Sequence, residues 1–261
     1  MPEGTQRILN ARSLRPQQRL AALLRPGLDV LDVGCGTGAI TRDMAAAVAP
    51  GGQVVGVDVN AGLIEEAQRL HGGVPGLSFE VHDIHALPFR ATFDLVSAAR
   101  VMQWLARPLD ALGGLVAATK PGGHVVVLDY NHEKLAWHPA PPASMTTFYA
   151  MFLRWRAEAG MDNAVADHLV DMCARVALVD IVATPEHEIT RRTDPDFAVR
   201  LELWAEVAAT RGRQMVSDGI ITESQRATAE AEYRAWVHHS AMSQSLYLMA
   251  VSATRPRESS E

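Results

Sequence analysis

Cysteine is scarce in this chain, because its 261 residues include only Cys35 and Cys173. Two thiols argue against a disulfide framework and against a zinc site built from cysteines. An excess of positive charge is also missing, since the formal net charge at pH 7 is -6. That balance argues against a nucleic-acid partner, which needs a broad cationic surface.

Long apolar runs are missing as well. No segment approaches the ~20 apolar residues that a membrane-spanning helix needs. The residues at the start of the sequence lack the apolar stretch of a signal peptide. We therefore expect a cytoplasmic protein that does not bind membranes.

Short apolar runs alternate with helical patterns in the first half of the chain. We predict strands there at residues 28–33, 53–59, 77–81, 93–98 and 124–129. β-Branched runs such as Val125-Val126-Val127 are typical of parallel strands that are covered on both faces. Right-handed crossovers then give a doubly wound sheet, in which ligands bind beyond the carboxyl ends of the strands.

The second half is mainly helical, with strands on either side of the helices. We predict helices at residues 145–158, 164–177 and 194–240 and strands at 181–190 and 243–254. The fold class is thus α/β, a doubly wound, mostly parallel, seven-stranded Rossmann-like sheet with helical lid insertions. Residues 1–130 would form a cofactor-binding core and residues 131–261 the remaining sheet and lid, within one domain. Packing of the extra helices at the periphery is the alternative to a lid.

The strongest motif is the glycine loop Gly34-Cys35-Gly36-Thr37-Gly38, which follows a predicted strand and precedes a helix. Its glycines allow positive φ angles and a close backbone approach, and the helix N-terminus offers free N–H groups. The loop also satisfies the dinucleotide pattern G-x-G-x-x-[GA], so by itself it leaves two cofactor classes open. Asp32 favours S-adenosylmethionine, because a carboxylate repels a pyrophosphate but suits an ammonium and a sulfonium group.

Acidic residues also end the second and third predicted strands. Asp58 follows Val55-Gly56-Val57, and a carboxylate there can accept hydrogen bonds from both ribose hydroxyls. Taken alone, Asp58 equally fits NAD or a helix cap. Asp83 lies between His82 and His85, which we interpret as loop histidines and not as a metal site.

The glycine loop, these acids, the stretch 93–105 and Lys120-Pro121-Gly122-Gly123 together resemble the class I S-adenosylmethionine-dependent methyltransferases. The similarity covers residues 29–130 and is to the small-molecule, ubiquinone/menaquinone branch. It implies that Asp83 accepts from the adenine amino group and that Ala99 and Arg100 approach the methionine part of the cofactor. The cofactor-binding residues it implies are Asp32, Gly34, Cys35, Gly36, Gly38, Asp58, Val59, Asp83, Ile84, Ala99 and Arg100.

The resemblance further implies methyl transfer to a small, aromatic or heterocyclic metabolite. Transfer from a sulfonium is an in-line displacement, and a general base helps only when the acceptor must lose a proton. His132 is the preferred base, because the ordinary pKa of histidine lies near working pH. The residues expected to form the wall of the substrate site are Gln103, Trp104, Tyr130, Trp137 and His138.

Other functions stay open at this point. The chain could bind S-adenosylmethionine without catalysis, as a sensor or partner subunit. An RNA or protein methyltransferase is a second option, and an NAD-dependent oxidoreductase is a third. The expected partner is a small-molecule substrate, while a homodimer and the identity of the acceptor atom are left open.

Overall fold

The computed structural model describes Asn10 and residues 12–257. Within them, the strands form one mixed β-sheet. Its strands are β1 (Asp29–Val33), β2 (Gln53–Asp58), β3 (Leu77–Val81), β4 (Phe93–Ala99), β5 (Thr119–His138), β6 (Val179–Pro185), β7 (Glu188–Arg191) and β8 (Ser243–Thr254). The α-helices of this part of the chain are α1 (Gln18–Ala21), α2 (Ala39–Val48), α3 (Ala61–His71), α4 (Pro108–Ala118), α5 (Ala143–Glu158), α6 (Val165–Arg175), α7 (Phe197–Leu201), α8 (Leu203–Ser217) and α9 (Glu223–His239).

The strand order confirms the predicted fold class. Seven strands follow the path β3-β2-β1-β4-β5-β8-β6, and the short β7 also pairs with β8. Strands β1 to β5 are parallel, whereas β8 runs antiparallel to its neighbours. The order reverses between β1 and β4, so a crevice forms beyond the carboxyl ends of these two strands.

Both faces of the central strands are covered by helices. Successive strand residues point to opposite faces, and in β1 Val30 and Leu31 accordingly belong to different apolar clusters. Val30 shares its cluster with Met44 of α2. Leu31 shares the other with Leu112 of α4 and Leu169 of α6. This double coverage explains why the strands of the first half have continuous apolar runs.

Strand β5 is much longer than the predicted 124–129. It starts at Thr119, directly after α4, and pairs with β8 from His124 to His138, with an irregularity between Asn131 and Ala136. The long partner strand β8, which was predicted at its observed position, supports this extension. Residues 130–138, expected in a loop after the strand, therefore belong to the strand, and the expected boundary at residue 130 falls inside it.

The predicted strand 181–190 is in fact two strands, β6 and β7, and both pair with β8. Pro185 ends β6, and a proline cannot donate a ladder hydrogen bond. The long helical stretch divides into α7, α8 and α9, with Gly219 at φ 73° in the expected break between the last two. No helix within residues 12–257 is both long and apolar enough to cross a bilayer.

The helices of the second half form their own apolar cluster against the sheet. Phe152 of α5 and Tyr233 of α9 are fully buried in it, together with Leu128 of β5 and Leu248 of β8. The Tyr233 hydroxyl donates to the carbonyl of Leu201, 3.1 Å away, and so ties α9 to α7. The cluster fixes α5, α8 and α9 over the long strands.

The packing of α6 gives a test of this arrangement. Leu169→Ala should lower the free energy of unfolding by about 2–5 kcal/mol, because Leu169 is fully buried between α6 and the sheet. The neighbouring Val170 is 40% exposed, so Val170→Ala should stay within about 0.5 kcal/mol. Urea denaturation of both variants measures the difference, and equal losses would contradict the packing.

Candidate active site

A cavity of about 530 Å³ lies beyond the carboxyl ends of β1 and β4, where the fold predicts a ligand. It extends from the glycine loop to the helices α5 and α8. Most of the predicted site residues line it, namely Gly34, Gly36, Asp58, Val59, Asp83, Ile84, Ala99, Arg100, Gln103, Trp104, Tyr130 and His132. A smaller cavity adjoins it and shares Arg12, Gly34, Gly36 and Ala99 with it.

The backbone of the glycine loop forms one wall of the large cavity. Gly34 and Gly36 have φ angles of 75° and 58°, a region that favours glycine. A side chain at Gly34 would also collide with Val101. Gly38 (φ 76°) precedes α2 and packs on Phe79, and it does not line the cavity.

Two carboxylates line the cavity where β2 and β3 end. The Oδ1 atom of Asp58 accepts from the N–H of Asn60 at 2.9 Å, and its Oδ2 accepts from the N–H of Gly36 at 3.1 Å. Asp83 accepts from the N–H of His85 at 2.9 Å. Each carboxylate has about four lone-pair sites, so both keep acceptor capacity that faces the cavity.

Asp32 is buried beneath the loop and does not line the large cavity. It is 4% exposed, and its carboxylate accepts from the hydroxyls of Thr41 (2.7 Å) and Ser97 (3.1 Å). Burial raises the pKa of Asp32 to about 6. Asp32 and Cys35 both line the smaller cavity, and burial raises the pKa of the Cys35 thiol well above its usual range.

Arg12 is a site residue that the sequence analysis missed. Its side chain lines both cavities, and it makes no hydrogen bond or ion pair with any residue that the structure describes. Burial, and then the charge of Arg100, lower its pKa. An unpaired, half-buried guanidinium suits an anionic ligand group. No local pattern around Arg12 signals this role.

Arg100 and Tyr130 form a polar group on the cavity wall. Arg100 has a φ of 63° and is 9% exposed. Its Nε donates to the Tyr130 hydroxyl at 2.7 Å, and its Nη2 forms an ion pair with Glu188 of β7. The positive charge of Arg100 is therefore compensated within the protein.

His132 lies in the cavity wall as predicted, but its environment changes its chemistry. Its Nε2 lies 2.5 Å from Oε1 of Gln103, and its Nδ1 lies 3.2 Å from the Tyr149 hydroxyl. Burial, and then the charge of Arg156, lower the pKa of His132 to about 3. The argument that its pKa lies near working pH is therefore wrong for this folded chain.

Two buried charges hold the backbone of Gln103. Its N–H donates to Oδ2 of Asp129 at 3.1 Å, and its carbonyl accepts from Nη2 of Arg156 at 2.7 Å. Both charged side chains are fully buried, and burial raises the pKa of Asp129 to about 6. Arg156 also lies over the ring of Trp104, at 4.9 Å from its centroid. These contacts fix the segment between β4 and α4.

Trp137 and His138 were expected in the substrate wall, but neither lines the cavity. The indole N–H of Trp137 points to the Tyr233 hydroxyl and to Oε1 of Gln244, each at 3.1 Å, within the helical cluster. His138 is exposed at the far end of β5. The long strand carries both residues past the cavity.

The aromatic wall comes instead from helices. Phe152 of α5 and Trp204 of α8 line the cavity next to Trp104, so the helical insertion covers the site as a lid would. Among the residues that the structure describes, no group of three or more His, Cys, Asp or Glu side chains is arranged to hold a metal ion.

The chain matches a known protein family. A family model described as a methyltransferase domain matches residues 24–169, more than half of the chain. The chain belongs to this family. The match confirms the resemblance to class I S-adenosylmethionine-dependent methyltransferases, whose cofactor is S-adenosylmethionine, and decides between the cofactor classes that the glycine loop left open.

Curated relatives match the same part of the chain. A demethylmenaquinone methyltransferase of Symbiobacterium thermophilum is 32% identical over 136 residues, covering 51% of each chain. A ubiquinone/menaquinone biosynthesis C-methyltransferase of Ectopseudomonas mendocina is 37% identical over 112 residues, covering 41% of this chain and 44% of the relative. The chain thus spans about half the length of these relatives, or less.

Solved structures share the fold over almost the whole chain. The YcgJ protein of Bacillus subtilis superposes with a TM-score of 0.60 at 16% identity, covering 94% of this chain and 99% of that one. A phosphoethanolamine N-methyltransferase 2 of Haemonchus contortus, in complex with S-adenosylhomocysteine, gives a TM-score of 0.58 at 18% identity, covering 94% and 52%. At these identities the likeness concerns the fold alone.

Because the carboxylate of Asp32 is buried, replacing it by a neutral amide should stabilise the fold, and the size of this effect should depend on pH. The pKa of Asp32 rises from 3.8 to about 6 on folding, so its ionisation destabilises the fold increasingly between about pH 4 and 6. Asp32→Asn keeps both hydroxyl partners and should raise the free energy of unfolding above pH 6 by roughly 1–3 kcal/mol. Chemical denaturation at pH 4 and 7.5 measures this, and a difference independent of pH would contradict it.

The low pKa of His132 predicts that its ring stays neutral above about pH 5. NMR of the histidine ring ¹H–¹³C pairs should show no titration of His132 between about pH 5 and 8. His168 is a matched control, because its bond to Asp162 raises its pKa above 6.5. An inflection of His132 near its ordinary pKa would contradict the assigned environment.

Proposed function

We propose that this chain binds S-adenosylmethionine in the large cavity and transfers its methyl group to a small aromatic or heterocyclic metabolite bound in the same cavity. One observation carries the proposal. The cavity joins the glycine loop and the carboxylates Asp58 and Asp83 to an aromatic wall formed by Trp104, Phe152 and Trp204. Donor and acceptor would therefore share one enclosed space.

The residues at the ends of β2 and β3 suit an adenosine group. Asp58 has free lone pairs for the two ribose hydroxyls, and Asp83 can accept from an exocyclic amino group. Val59 and Ile84, which follow these acids, add apolar surface for a purine. Asp58 is the residue on which we expect affinity to depend most.

The surroundings of the glycine loop suit an amino-acid group. Arg12 offers an unpaired guanidinium to a carboxylate, and the buried Asp32, which lines the small cavity with it, is an acceptor for an ammonium group. Opposite charges in one small space match a zwitterion. The residues of this chain therefore fit the cofactor at both of its ends.

The bound cofactor supplies a methyl group on a sulfonium, whose leaving group departs neutral. The task of the protein is to align the acceptor and to exclude water. The aromatic wall and the lid helices α5 and α8 exclude water, and the buried contacts of Gln103 hold the wall at a fixed place. His132 contributes orientation through Gln103 and Tyr149.

Towards the acceptor end of the cavity, the described residues that line it include no free general base. Glu206 accepts from Nη2 of Arg234 at 2.8 Å, and the low pKa of His132 makes it a weak base. The acceptor would therefore present a lone pair at neutral pH without help from the protein. An ionised oxygen, a thiolate or an amine meets that condition.

Calorimetric titration tests the binding half of the proposal. S-adenosylhomocysteine and S-adenosylmethionine should bind, and NAD should not. Asp58→Ala should weaken cofactor binding by about 1.5–3 kcal/mol, because it removes hydrogen bonds to the ribose. Asp110→Ala is the control, since Asp110 is an exposed carboxylate on α4 that pairs with Arg107. Unchanged affinity of the Asp58 variant would contradict its role.

Turnover is tested with S-adenosylmethionine that carries a labelled methyl group. Incubation with a metabolite extract should move the label into a small aromatic compound. Cofactor binding without any transfer would instead indicate a sensor or partner subunit. Label found in RNA or in protein would contradict the proposed substrate class.

A further inference from the structure

Some of the charged side chains that line the large cavity have a partner of opposite charge, and others do not. The arginine, aspartate and glutamate side chains in the lining are Arg12, Arg100, Arg211, Asp58, Asp83 and Glu206. Asp58, Asp83 and Arg12 lie at the end of the cavity that we assign to the cofactor. The other three lie towards β5 and α8, where an acceptor would bind.

Two of these three charges already have partners. Arg100 pairs with Glu188, and Glu206 pairs with Arg234. Arg211 makes no hydrogen bond or ion pair with any residue in the described part of the chain. Its guanidinium carbon lies 4.8 Å from the ring centroid of Trp104 instead. One positive charge is therefore left over beside the aromatic wall.

The position of Arg211 follows from the helical period of α8. One face of this helix lines the cavity through Leu203, Trp204, Val207, Thr210 and Arg211, at the spacing that places residues on one side of a helix. Arg211 ends this face at the rim of the cavity, where its side chain is exposed. Arg213, on the same helix, is equally exposed but does not line the cavity.

A guanidinium keeps its charge in a protein and presents donors in a fork that matches a carboxylate. Arg211 has no carboxylate partner among the described residues, and partial burial of its guanidinium lowers its pKa. An anionic group on the ligand would supply the partner that the Arg211 guanidinium lacks. The guanidinium lies over the ring of Trp104, and its N–H groups make no hydrogen bond to the described residues, so they can donate to a ligand.

We infer that the acceptor is a planar aromatic compound with a carboxylate, that Arg211 binds this carboxylate, and that the ring lies against Trp104 and Trp204. Arg211 is thus a specificity-determining residue on the lid. The inference rests on the proposed function and adds the charge of the substrate to it.

The test measures binding of matched acids and amides to the protein saturated with S-adenosylhomocysteine. The probes are 4-hydroxybenzoate, 2-naphthoate and indole-3-carboxylate, each compared with its primary amide by calorimetry at low salt. At least one acid should bind about tenfold more tightly than its amide. Arg211→Gln should remove this preference, Arg211→Lys should keep part of it, and the control Arg213→Gln should keep all of it.

Three results would overturn the inference: no acid of the panel binds, acids and amides bind equally, or the preference survives in Arg211→Gln. A preference that disappears in Arg213→Gln as well would reduce it to general surface charge and also overturn it. Circular dichroism and S-adenosylhomocysteine affinity are measured for every variant. If the unsubstituted protein binds S-adenosylhomocysteine but none of the acids, only this inference is contradicted. If it does not bind S-adenosylhomocysteine, the proposed function is contradicted.

Discussion

The backbone of Gln103 is held between two buried charges, and the shape of the site depends on that contact. Asp129 of β5 accepts from its N–H, and Arg156 of α5 donates to its carbonyl. Removing either partner would leave the other charge buried and uncompensated, which is costly. These two contacts join the first-half sheet to the helical second half at one residue. They thereby fix the side chain of Gln103 against His132 and place Trp104 on the cavity wall.

The distribution of charge along the cavity gives it two distinct ends. Carboxylates at the ends of the parallel strands suit the hydroxyl, amino and ammonium donors of a cationic cofactor. At the other end, the unpaired guanidinium of Arg211 favours an anionic acceptor. A cationic donor and an anionic acceptor attract each other across the cavity. The same cavity would therefore use charge both to bind its two ligands and to bring them together.

The sequence predicted those parts of the site that depend on local pattern. Parallel strands end at one edge of a sheet, so the glycine loop and the acids after β2 and β3 could be placed together without a structure. Arg12 and Arg211 could not be assigned to the site from the sequence, because only tertiary packing brings them to the cavity. His132 was placed correctly, but its pKa depends on burial that no motif records. For Arg156 the sequence contains a weak indication of burial, because this charged residue lies on the same helix face as Tyr149 and Phe152. The length of β5 was missed because its pairing partner lies more than a hundred residues later.

The central claim is that one cavity holds the cofactor beside an aromatic acceptor site. A crystal structure of the chain with S-adenosylhomocysteine would test this claim most directly. We expect the ligand between the glycine loop and Gln103, with its ribose on Asp58 and its carboxylate on Arg12. Open space should remain between the sulfur atom and the side chains of Trp104 and Trp204. A ligand bound elsewhere, or a sulfur atom closed off from that aromatic wall, would contradict the account.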